Sequence, residues 1–382
     1  MRREYSITPE NKLCFFGYYD KCPWDINEKY FLFHQVDFQD RPPEKNDKAK
    51  ICILELNTRK TEILDETYAW NFQQGAMLQW LDEKRIIYNN RIDNQFVSVI
   101  QEITSGKKRI IPKPVSAVSS DGKYGLSINF SRLARWRPGY GYEGGEDIYE
   151  NEKWPENDGI YFIDLESGKY KLIVSLSEML NYRKEENVEN SYGWFNHTLF
   201  SPDGKRFIFL NRWKKEGDIF KTRIFTSDIS GKEKYDLLDT YLISHFDWKN
   251  EKEFIVWAEI EDKRGFWIVE DKTGKYKPVS ERIQEEDGHC SYSKNERFIL
   301  LDTYPIENYR YLKIFDTETE KEIILGKFYS LPEIKGEIRC DLHPRWSRSE
   351  KFISFDSIHE GYRRVYIMDI SEVINSGKRS EK

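Results

Sequence analysis

No stretch of this chain stays apolar for anything near the roughly 20 residues that a membrane-spanning helix needs, so no helical span is expected. Cysteine is scarce: the five present are an odd number with no framework spacing. This excludes a disulfide-stapled scaffold and fits thiols that are buried or metal-bound in a reducing compartment. An excess of one charge is also missing, since 60 basic and 66 acidic side chains leave a net charge of −6. That balance argues against a nucleic-acid or membrane-surface partner. The opening Met1-Arg2-Arg3-Glu4-Tyr5 lacks the apolar core of a secretory signal. The expected location is therefore cytoplasmic, or periplasmic where a signal has been removed. With no linker or low-complexity segment to divide them, residues 1–382 are expected to form a single domain.

What the chain does hold is aromatic residues, 15% of the total, and these favour pleated, half-buried surfaces. The clearest local signal is Ser201-Pro202-Asp203-Gly204 between two apolar runs. Pro and Asp pre-set turn dihedrals and Gly supplies a positive φ, which makes a hairpin. Weaker copies centre on Trp24-Asp25, Trp80-Leu81, Ser119-Ser120, Trp248-Lys249, Ser293-Lys294 and Ser347-Arg348, giving seven units. Each is followed by a second strand pair, the last of them over residues 364–370. Seven four-stranded repeats of about 40–50 residues predict an all-β fold, a seven-bladed β-propeller with antiparallel blades.

In such a blade the first strand starts, and the second ends, on one face beside the central channel. The aligned starts are Asp20, Ala76, Val115, His197, His245, His289 and His343; the aligned ends are His34, Asn90, Asn129, Asn211, Ala258, Asp302 and Asp356. Five of the six histidines are thus expected on one rim. The long connection 130–158 carries Arg132, Arg137 and Tyr140, and a second runs over 177–194. Guanidinium groups fork carboxylates or sulfates, and aromatic faces stack on pyranose rings. Arg132, Arg137, Tyr140, Asn129, Asn211, Asn90 and His245 are therefore expected to bind an acidic oligosaccharide. A divalent metal is expected on His289, Asp302, Cys340 and His343, with zinc ahead of manganese or calcium for a set containing a thiolate.

Asp287-Gly288-His289-Cys290, Cys340-Asp341-Leu342-His343-Pro344-Arg345-Trp346-Ser347, Gly17-Tyr18-Tyr19-Asp20-Lys21 and Arg137-Pro138-Gly139-Tyr140-Gly141-Tyr142 resemble the seven-bladed polysaccharide lyases. These are the oligogalacturonate lyases and the ulvan lyase-like propellers. The resemblance implies β-elimination beside a uronic acid and a metal held by three His and a Gln. His289 and His343 match, Cys340 stands where the Gln would be, and Arg345 replaces the last His. Arg212 matches the lyase Arg, the Tyr position falls at Asn196 or His197, and the two further His of the ulvan lyases would lie where this sequence has Gln74, Asn90 and Asn129, which the resemblance implies as substrate-binding positions. On this reading Arg212 neutralises the uronate, His197 takes the C5 proton, and Tyr192 or Tyr140 donates to the leaving oxygen. The alternatives are a non-catalytic glycan- or protein-binding propeller, and a hydrolase using Asp20 or Asp356.

Overall fold

The computed structural model describes residues 4–182 and 186–376. Among these residues the strands form seven four-stranded antiparallel sheets, each running outward from its first strand. They are the blades of a β-propeller. The turns follow their local chemistry. In the fourth blade Gly204 adopts φ +69°, and its N–H donates to Ser201 O at 2.8 Å. The Ser201 hydroxyl closes the turn by accepting Arg206 N–H at 3.0 Å. The same serine device recurs at Ser119 and Ser293, which accept Tyr124 and Phe298 N–H at 3.0 and 2.9 Å.

Apolar side chains pack between neighbouring blades, and the largest cluster joins the second to fourth blades to the helix Phe130–Trp136. Among the described residues no helix is long and apolar enough to cross a membrane. The seventh blade differs from the expected pair over 364–370. Arg364–Asp369 is followed by the helix Ser371–Ser376, and the outer strand is Glu4–Ser6, paired as Tyr5↔Ile367. The two ends of the chain therefore share one blade.

Buried polar groups latch blade to blade. At the end of a second strand, a side chain accepts a backbone N–H from the start of the next blade. His34 Nε2 takes Ala76 N–H at 3.1 Å, and Asn89 Oδ1 takes Val115 N–H at 2.8 Å. Asp302 takes His343 N–H at 3.1 Å, and Asp356 takes Phe16 and Gly17 N–H at 3.1 and 3.0 Å. A buried N–H without an acceptor costs about 1–3 kcal/mol, so each latch fixes the register of a junction. His34 accordingly leaves the expected rim: it is buried, stacked on Phe15 at 5.1 Å between ring centres.

Candidate functional site

The channel is filled by the first blade's own strand. Phe15 pairs with His34 and Trp24 with Phe31, so residues 16–23 stand opposite residues 32 and 33 and loop out toward the axis. Asp356 and Arg345 hold the neck of this excursion, the Arg345 guanidinium donating to Gly17 O at 2.7 Å and to Asp356 at 2.8 Å. Tyr19 holds its tip, donating to Phe246 O at 2.7 Å and accepting Phe246 N–H at 3.1 Å. Asp20 is tied to Lys21 at 2.8 Å and to His197 Nε2 at 3.1 Å. Burial opposes its ionisation, but Lys21 and His197 outweigh that and hold the Asp20 carboxyl well below the usual range. Its carboxylate therefore accepts a hydrogen bond from His197 Nε2–H.

The histidines do converge. Ring centres lie 4.0 Å apart for His245 and His289, and 4.2 Å for His289 and His343. Tyr18 lies 4.9, 5.9 and 5.2 Å from His197, His289 and His343. His197 and His343 adopt φ +33° and +44°, and the register shifts between Asn196 and Thr198. Such bulges re-aim a side chain. His197 is stacked on Phe246 at 4.3 Å with Tyr18 edge-on to it, so its ring is sealed between aromatic neighbours. Burial, and secondarily His289, lowers the His245 pKa, and Asp287 holds its Nδ1 at 3.0 Å.

Asp341, and neither Asp302 nor Cys340, joins the two metal-candidate histidines. Potential ligand atoms of His289, Asp341 and His343 lie within 4.8 Å of one another, and both His Nε2 atoms are buried without a partner. Both Asp302 oxygens are already committed, to His289 Nδ1 at 3.0 Å and to the backbone of His289 and His343. Cys340 packs in an apolar cluster, and burial pushes its thiol up to about 11. Asp341 is gripped by Arg310 and Arg339, each at 2.7 Å; they outweigh burial and keep it ionised.

Two guanidinium groups share one aromatic ring: Arg137 and Arg212 lie over Phe220 at 5.1 and 4.7 Å. Neither forms an ion pair among the described residues, and Arg137 Nε is buried without a partner. Burial, with Arg137 next, brings the Arg212 pKa down to about 10. Tyr140 stacks on Arg137 at 4.9 Å and accepts from Arg339 at 2.6 Å. The hydroxyls of Tyr18 and Tyr304 have no hydrogen-bond partner among the described residues. Burial, then Tyr140, raises both phenols well above their ordinary pKa.

Other expected site residues lie elsewhere. Arg132 is spent on structure, donating to Gly193, Tyr149, Glu152 and Lys153 carbonyls. Asn129 caps the helix Phe130–Trp136 and donates to Asp147 and Asp158. Asn90 bonds to Thr67, Tyr68 and Glu66, leaving the latch to Asn89. Tyr192 stacks on Trp136 at 4.2 Å, five strand residues from His197 and so about 16 Å away. Gln74 and Asn211 are buried, each with a side-chain oxygen unpartnered. Asp20 and Asp356 are fully engaged, so the pair of free facing carboxylates that hydrolysis needs is not assembled. Tyr18, Tyr304, Asp287, Arg339 and Asp341 were not singled out from the sequence. Parity was the signal for Asp341: Cys340 and Leu342 turn into apolar clusters, while Asp341 and His343 turn toward the channel.

By sequence, the chain matches no family model and no curated protein. By structure, it is similar to an oligogalacturonate lyase from Vibrio parahaemolyticus, with a TM-score of 0.69 at 16% identity, over 97% of this chain and 94% of that one. An oligogalacturonate lyase in complex with manganese also gives 0.69, at 14% identity, over 98% and 97%. A prolyl endopeptidase gives 0.51 at 10% identity, over 94% of this chain and 50% of that one. At these identities the likeness is one of architecture: the chain shares the fold of the oligogalacturonate lyases, the family its motifs resemble.

Proposed function

We propose that this propeller is a carbon–oxygen lyase that cleaves acidic, uronate-containing oligosaccharides by β-elimination. The observation that carries the reading is the pair Arg137 and Arg212, two guanidinium groups held together with no carboxylate partner. Holding like charges together is unfavourable unless an anion completes the site. A uronate carboxylate is the anion whose neutralisation the reaction needs, because charge develops on it as the C5 proton leaves.

We assign His245 to take that proton. Burial keeps it neutral, and Asp287 accepts its Nδ1–H, leaving the Nε2 lone pair free. His197, assigned this role from the sequence, instead forms the floor with Asp20. As the C5–H electrons form the C4=C5 double bond, the C4–O bond breaks. The departing oxygen takes a proton from Tyr18, a phenol that burial keeps protonated and that replaces Tyr192 in this role.

The orphaned Nε2 atoms of His289 and His343, with Asp341, fit a divalent cation. Without the Cys340 thiolate the set is harder than expected, which moves the preference from zinc toward manganese; one of the similar lyases is in complex with manganese. When bound, such an ion would supply positive charge for an acidic substrate.

The test is incubation with a panel of uronate oligosaccharides, following the ultraviolet absorbance of the unsaturated product. Arg212→Ala should abolish the signal, and flat absorbance with the unaltered protein across the panel would sink the lyase reading. One observation favours a glycan-binding propeller without chemistry: the His197–Asp20 pair is sealed beneath Tyr18. That reading expects thermal stabilisation by the same glycans with no product.

A further inference from the structure

Arg339 ties the insertion that carries Arg137 and Tyr140 to the candidate cation ligands. It follows the short turn Gly336–Ile338, and its backbone is fixed: the carbonyl accepts Gln73 Nε2–H at 2.9 Å and Arg363 Nη2–H at 3.1 Å. From this anchor the guanidinium reaches in two directions. Nη2 donates to the Tyr140 hydroxyl at 2.6 Å, and Nε donates to Asp341 Oδ2 at 2.7 Å. Tyr140 belongs to the tip of the insertion, which closes on the same turn: Gly139 adopts φ +87°, and a Cβ there would lie 3.1 Å from Glu337 Cα. The same tip carries Arg137, whose guanidinium lies 4.9 Å from the Tyr140 ring.

Asp341 Oδ2 has a second neighbour. It lies 3.9 Å from His343 Nε2, and that nitrogen is buried without a partner. A cation touching both atoms would meet an oxygen that already carries a guanidinium, while Arg310 holds the other oxygen at 2.7 Å. Asp341 is 2% exposed, so solvent does little to screen the ion from Arg339. Repulsion between the two opposes loading of the site, and a loaded site weakens the Arg339–Asp341 bond that steadies the donor to Tyr140. Such a coupling is reciprocal: whatever loosens Arg339 from Asp341 favours the cation by the same factor.

We infer that Arg339 is a positioning residue that seats the Arg137–Tyr140 tip of the insertion through the charge of Asp341, so that cation binding and seating of this tip oppose one another. The inference rests on the cation reading of His289, Asp341 and His343.

Calorimetric titration of the metal-free full chain with Mn²⁺ tests it, with hydrogen exchange of residues 137–145 followed in parallel. Mn²⁺ should speed exchange in this segment of the parent. Arg339→Gln removes one positive charge and should bind Mn²⁺ about tenfold or more tighter. Arg339→Lys keeps the charge and should stay near the parent in Mn²⁺ affinity, while both variants lose the fork to Tyr140 and exchange faster without metal. If the two variants shift Mn²⁺ affinity together, Arg339 is merely structural and the inference is overturned. Equal affinity in the parent and Arg339→Gln, lost in His289→Ala and with exchange unmoved by Mn²⁺, also overturns it and leaves the cation reading standing. If neither the parent nor the Arg339 variants bind Mn²⁺, both fall.

Discussion

Replacing Asp302 by Asn changes one atom and should destabilise the protein measurably. The Asp302 carboxylate accepts His289 N–H at 2.7 Å and His343 N–H at 3.1 Å, and both oxygens lie 3.0 Å from His289 Nδ1. It is 1% exposed, so water cannot stand in. An amide keeps one acceptor and turns an NH₂ toward a donor, orphaning one buried N–H at a cost of about 1–3 kcal/mol. Alanine strands all three donors and should cost about 3–6 kcal/mol, a large share of the 5–15 kcal/mol typical of folded proteins. Urea midpoints at constant slope would read both values. The same carboxylate fixes His289 with its proton on Nδ1, so nitrogen-15 shifts of that ring should show mixed tautomers in Asp302→Asn. An Asn variant within about 0.5 kcal/mol of the parent, with its tautomer unchanged, would refute the latch.

His245→Ala should lower turnover of a cleaved oligosaccharide by about 10²–10⁴-fold, while His197→Ala should lower stability first; equal kinetic losses would mean the base is misassigned. The acid limb of the rate profile should lie below the ordinary imidazole value of 6.5, because burial lowers the His245 pKa. His34 is lowered by burial from 6.5 to about 4, so the unfolded chain binds the proton first and stability is lost as pH falls through that window. About 3 kcal/mol is at stake for the full shift. The loss should appear as a difference in slope between the parent and His34→Gln in denaturation from pH 7 to 4, since Asp247, raised by burial to about 7, acts in the opposite sense in both. Removing residues 1–8 should unmask the edge of the seventh blade, lowering the thermal midpoint and promoting association measurable by light scattering.

The blades were legible because their turns are local. Ser201-Pro202-Asp203-Gly204 sets its own dihedrals, whatever lies elsewhere. The latches were not, because Asp356 and Phe16 are 340 positions apart, and no spacing within one blade reveals an acceptor for the next. Among the candidates, His289 and His343 were legible from the repeat alignment. Asp341 was hidden by its more reactive neighbour Cys340, and only side-chain parity separates them. Tyr18 escaped because residues 16–23 read as the start of an ordinary strand. Their outward loop becomes visible only when Phe15 and Trp24 are both paired to strand residues three apart, His34 and Phe31.

The sharing of one blade by Glu4–Ser6 and Arg364–Asp369 has a consequence for synthesis. Glu4–Ser6 must wait for a partner made more than 350 residues later, and until then the growing ring is an open arc with two bare sheet edges. The Tyr18–Tyr19 excursion leaves the ribosome early as well, yet Phe246, His289 and His343, which hold it, emerge only in the second half of the chain. The centre of the ring is thus assembled by ring closure, late in folding, and a nascent chain interrupted before the seventh blade would carry most of the blades and no site.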